Sequence, residues 1–68
     1  MNRIKEVLKE RGIKQIWLAE QLEKSFNMVN DYTNNRRQPT LDVLNKIADI
    51  LNIDVRDLIS SNKDNKQN

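Results

Sequence analysis

Between Ser25 and Asn34 the chain reads SFNMVNDYTN. Wound into a helix at roughly 100° per residue, this stretch puts Val29 and Tyr32 on one side. Asn27, Asn30, Asp31 and Asn34 gather on the other, within about 100° of arc. A solvated helix face ordinarily mixes Lys with Glu. This one holds three amides and a carboxylate, with no Lys or Arg. Short side chains that donate and accept at once match the edges of nucleobases: Asn can bond bidentately to adenine, and Asp can accept from the cytosine amino group. Phe26, at the margin, can touch a thymine methyl or fill the core edge. The plain alternative for the whole set is an ordinary polar face.

Groups suited to phosphate surround this face. Arg36 and Arg37 follow the helix, Lys14 and Gln15 open the helix before it, and Ser25 and Asn34 bracket it. Such flanking donors can hold a nucleic-acid backbone and fix register while the helix between them reads bases. A helix N-terminus adds free N–H groups for phosphate. The plainer readings are a solvated loop for the arginines and a helix start for Lys14 and Gln15. Trp17 can lean on the first helix or make a backbone or partner contact.

Other chemistries fare worse. The 68 residues contain no Cys and no His, so thiolate and imidazole chemistry are excluded. No glycine-rich loop is present to cradle a phosphate. Asp42, Asp49, Asp54 and Asp57 match no calcium-loop spacing and read as caps and solvated charges. No cofactor, metal or small-molecule ligand is expected, and a binding module is favoured over an enzyme. Residues 1–40 carry eight Lys/Arg against five Asp/Glu, whereas residues 41–68 carry four against five. The N-terminal part therefore suits a polyanion better.

The elements that must position these groups are helical. One Gly and one Pro are too little punctuation for a strand-rich fold. The apolar spacing predicts an all-α domain of five short helices over residues 1–60. The first runs from about Asn2 to Arg11, with Ile4, Val7 and Leu8 inward and Gly12 as its stop. The second spans about 15–22, packing through Leu18, Ala19 and Leu22. The third spans about 26–33, capped by Ser25, with Val29 and Tyr32 inward. Asn34 or Asn35 ends it. Thr40 caps a fourth helix, about 41–51, whose stripe is Leu41, Leu44, Ile47, Ala48 and Leu51. Asp54 caps a fifth around Val55, Leu58 and Ile59. Residues 61–68 contain no apolar side chain and are expected to be a disordered tail.

Helices of two turns must pack on each other to persist, and Ala19 permits the close, steep crossing of a helix-turn-helix. In this register the chain resembles the Cro and phage-repressor (xenobiotic-response-element) family. The marks are Gln15, Leu18-Ala19, Ser25, Val29, the Arg36/Arg37–Pro39 loop, Leu41, Leu44, Ile47-Ala48, and Ile53-Asp54-Val55 with Leu58-Ile59. The resemblance covers about residues 2–60. It implies a compact five-helix, lambda-repressor-like domain that binds double-stranded DNA. Transcription would be regulated, by repression, from a palindromic operator. By position it places base reading at Phe26, Asn27, Asn30 and Asp31, and a phosphate-contacting glutamine at Gln15. Two positions depart from the pattern: Glu23 and Asn35 stand where glycine is usual. A homodimer through the C-terminal helices is expected, using Leu51, Ile53, Val55, Leu58 and Ile59. The charged N-terminus lacks a signal-peptide core and no apolar run can span a bilayer, so a cytoplasmic location is expected. The rival is an antitoxin-like or other protein-interaction module on the same fold.

Overall fold

The computed structural model describes residues 1–59; the tail expected at 61–68 lies outside them. Four α-helices follow in order, α1 (Ile4–Arg11), α2 (Gln15–Leu22), α3 (Phe26–Thr33) and α4 (Leu41–Leu51), then a 3-10 turn (Val55–Leu58). The all-α expectation holds, with one correction to the count. The fifth element is a single 3-10 turn because its hydrogen bonds close at three residues, Asp57 N to Asp54 O at 2.9 Å and Ile59 N to Arg56 O at 3.2 Å. Ile59 is then drawn into extended backbone (φ −111°, ψ 126°) and bridges antiparallel to Asn2. The same bridge starts α1 at Ile4, two residues later than the periodicity suggests.

The core draws on every element: Ile4, Val7 and Leu8 from α1, Leu18 and Ala19 from α2, Val29 and Tyr32 from α3, Leu44, Ile47, Ala48 and Leu51 from α4, and Leu58 from the turn. Leu41, placed in the α4 stripe by its spacing, is instead exposed, because it opens that helix beyond the reach of the core. No helix among the described residues is long and apolar enough to cross a membrane.

Helices α1, α2 and α4 end the same way: a left-handed residue (Gly12, Glu23, Asn52) directly after the helix turns the chain, and the next N–H reaches back to the fourth-last helical carbonyl. In α3 the left-handed residue, Asn35, comes one position later, and Arg36 N reaches back to Asp31 O. For α2 the bonds are Glu23 N to Glu20 O at 3.2 Å and Lys24 N to Ala19 O at 3.0 Å. Glu23 takes φ 58° and ψ 39°. It thus adopts the conformation that glycine would reach without strain, at a cost of about 1 kcal/mol.

Candidate nucleic-acid interface

The helix-turn-helix is built from α2, the Glu23–Ser25 turn and α3. Leu18, Ala19, Val29 and Tyr32 are all buried where the two helices meet. The small Ala19 lets them approach. Ser25 Oγ accepts from Met28 N at 3.1 Å and fixes the start of α3. The outward face is then set by default: Asn27 and Phe26 are exposed, and Asn30 and Asp31 half-buried.

Not every group on that face is free. Asn34 Nδ2 donates to Asn30 O at 2.9 Å and to Asn30 Oδ1 at 3.1 Å. Asn34 Oδ1 accepts from Lys5 Nζ at 3.2 Å. Asn34 is therefore a brace between α1 and Asn30, while the Asn30 amino group keeps its donors. Arg36 Nε donates to Asp31 Oδ1 at 3.1 Å. Arg37 Nη1 lies 3.2 Å from Met28 Sδ. Both arginines thus fold back along α3, since Asp31 O accepts from Arg36 N at 2.9 Å and Arg37 N at 3.2 Å.

Two lysines complete the surface that spacing along α2 and α3 does not show. Lys5 and Lys9 join Lys14, Gln15, Phe26 and Asn30 around one groove between α1, the start of α2 and α3. Their i, i+4 spacing on α1 was the available signal. Gln15 opens α2 on this groove, and its Oε1 is buried without a partner among the described residues. Trp17 lies apart, 41% exposed, beside Gly12, Ile13, Ile16 and Glu20.

Asn2, read from the sequence only as the start of the first helix, lies before α1 and has a role that no spacing showed. It is 5% exposed and ties the N-terminus to the loop after α3. Its N donates to Asn35 Oδ1 at 2.9 Å, and its Nδ2 to Tyr32 O and to Gln38 Oε1, each at 2.9 Å. Its Oδ1 accepts from Ile4 N at 3.0 Å. Gln38 Nε2 donates to Asn35 Oδ1 at 3.0 Å. Only contacts across 30 or more residues reveal this role. Taken together, the site offers amide and guanidinium donors around an exposed helix, with backbone and loop held from behind.

A helix-turn-helix family model matches residues 4–58. No curated protein matches this chain. One solved structure, "Crystal structure of a putative DNA-binding protein from Bacteroides fragilis", is 48% identical over 88% of this chain and 97% of that chain, with a TM-score of 0.87. The family match runs from the first residue of α1 to the last of the 3-10 turn, and so takes in the whole helical core as well as the two-helix motif. The chain belongs to the Cro/C1-type helix-turn-helix family.

Proposed function

We propose that this protein is a sequence-specific DNA-binding regulator, a repressor that places α3 in the major groove of a palindromic operator. The observation that carries this reading is the exposed amide face of α3, free of Lys and Arg on the helix itself and flanked by basic groups. Phe26, Asn27, Asn30 and Asp31 face the bases. Lys14, Gln15, Ser25, Asn34, Arg36 and Arg37 lie toward the backbone, and the groove lysines Lys5 and Lys9 join them. Affinity then comes chiefly from phosphate contacts and specificity from the amides. The protein works as a binding module rather than an enzyme, in the cytoplasm, and as a homodimer.

Selection of bound duplexes from a random pool, followed by salt titration on the enriched sequence, tests this. The expected result is an inverted repeat whose affinity falls steeply with salt. Enrichment of no motif, or binding indifferent to salt, overturns it. Ile16 and Trp17, exposed side by side on α2, favour a second reading as an antitoxin-like or other protein-interaction module. Salt-indifferent capture of a protein partner, with no enriched motif, is the outcome that supports it.

A further inference from the structure

We propose that Arg36 reads a guanine at the edge of each half-site, and that Asp31 is a positioning residue that aims its guanidinium. This rests on the reading of α3 as the major-groove helix. It reassigns Arg36 from a phosphate to a base edge, and Asp31 from accepting a base hydrogen bond to acting through Arg36.

The main chain at Arg36 is fixed before any DNA arrives. Asn35 is left-handed at φ 59°. Its N donates to Tyr32 O at 3.1 Å, and Arg36 N donates to Asp31 O at 2.9 Å, closing the end of α3. From the other side, Asn35 Oδ1 accepts from Asn2 N and Gln38 Nε2. The loop is thus held by hydrogen bonds from the segment before α1, from α3 and from its own far end.

The side chain is then gripped at one atom. Arg36 Nε donates to Asp31 Oδ1 at 3.1 Å, and neither Arg36 Nη atom has a hydrogen-bond partner among the described residues. A guanidinium held at Nε can still present its two Nη donors end-on, and two parallel N–H groups are what guanine O6 and N7 accept. Asp31 also needs an explanation of its own. A carboxylate on the helix that faces a polyanion is repelled by it, unless it is neutralised and used. At 58% and 41% side-chain exposure, this ion pair adds little to folding. Its value lies in orientation, since a guanidinium ordered beforehand loses less freedom on binding.

The competing role for Arg36, a phosphate clamp, makes the opposite prediction for Asp31. If Arg36 only held a phosphate, removing the neighbouring negative charge would strengthen binding to every duplex. If Asp31 aims a base contact, removing it weakens binding to the preferred sequence despite the gain in positive charge.

The test is selection from one random duplex pool with wild type, Asp31→Ala, Asp31→Asn, Arg36→Ala and Arg36→Lys. Fluorescence anisotropy follows on the wild-type-enriched duplex and on a scrambled duplex. Arg36→Ala is expected to flatten the preference for guanine at one position per half-site and lower affinity there by about 10–100-fold. Arg36→Lys does not restore it, because an ammonium lacks the fork. Asp31→Ala weakens the enriched duplex several-fold, leaves the scrambled one equal or tighter, and flattens the same position. Asp31→Asn keeps the preference, because its Oδ1 still accepts from Nε. Tighter binding of both duplexes by Asp31→Ala with an unchanged preference profile overturns the proposal, as does Arg36→Lys behaving like wild type. A wild-type profile with preferences elsewhere but none lost on Arg36→Ala defeats this proposal alone. A wild-type profile with no preference at all defeats the DNA-reading function as well. Both side chains reach solvent, and thermal melts of each variant check that it folds like wild type.

Discussion

Two asparagines show how burial decides the work of one side chain. Asn27 is exposed on the outer face of α3, whereas Asn2 is 5% exposed under the loop that follows it. Asn27→Ala is expected to leave the melting temperature unchanged and to cost about 1–3 kcal/mol of binding on the preferred duplex, with nonspecific binding nearly intact. Anisotropy titrations on the enriched and scrambled duplexes measure this; equal losses on both would remove Asn27 from the reading face. Asn2→Ala behaves in the reverse way. It leaves the buried Ile4 N without a partner and removes one of the two donors to Tyr32 O, which keeps Asn35 N; a buried group left unpaired costs about 1–3 kcal/mol. Urea denaturation is expected to show that loss. A midpoint like that of wild type would mean that water takes over those bonds without penalty. The exposure of Asn27 was legible from its place on the helix wheel, because that place depends only on neighbours within α3. Asn2 was not, because its partners are distant in sequence and an asparagine near a chain start carries no local mark of burial.

At the level of elements, local chemistry explains why the bounds of α2, α3 and α4 could be read in advance. Ser25 and Thr40 each accept from the backbone N–H three residues on, at 3.1 and 3.2 Å, and apolar spacing runs unbroken between cap and stop. The last element defied the same logic. Asp54 does cap it, accepting from Arg56 N at 2.8 Å. Yet the pull of the Asn2–Ile59 bridge, which no spacing along residues 54–59 encodes, holds it to one 3-10 turn. That cap has a pH signature. Hydrogen bonds from the Arg56 side chain, and then from its backbone, lower the Asp54 carboxyl from 3.8 to about 2. A depressed folded-state value stabilises the fold above 3.8, and the contribution fades as pH falls through about 2. Asp54→Asn keeps a capping oxygen but cannot titrate. Its urea midpoint is expected to vary less than that of wild type across that acid window; parallel curves would show that the pair is inert in solution. The turn between α2 and α3 gives a test of opposite sign. Glu23→Gly relieves a left-handed non-glycine residue and is expected to raise stability by about 1 kcal/mol in thermal melts. A destabilised variant would mean that the Glu23 side chain makes up more than its backbone strain.

For the whole molecule the question is how one short helix finds an operator. The eight residues of α3 alone span only a few base pairs. On the proposed palindromic operator, two copies reading half-sites about 34–36 Å apart would supply the missing selectivity. The apolar residues near the C-terminus were expected to serve that dimer, but folding claims several of them first. Leu51 and Leu58 are 3% and 0% exposed and belong to the core, and Ile53 and Val55 are partly packed against it. What remains on that side is Ile59, 47% exposed, with Met1 beside the Asn2–Ile59 bridge. Stable dimers bury about 800 Å² on each partner, more than this remnant offers, so the dimer should be weak in solution and completed on DNA. Ile59→Asp is the variant of choice, because its exposure lets it oppose association while leaving the core untouched. It is expected to keep the wild-type melting temperature and half-site affinity while losing about tenfold or more on the full inverted repeat, as a lost coupling of about 1.4 kcal/mol requires. Sedimentation with and without the enriched duplex gives the stoichiometry directly: two wild-type protomers per duplex at saturation, one for Ile59→Asp at the same concentration. One wild-type protomer per duplex at saturation would overturn the dimer, and two for both proteins would move the interface away from Ile59.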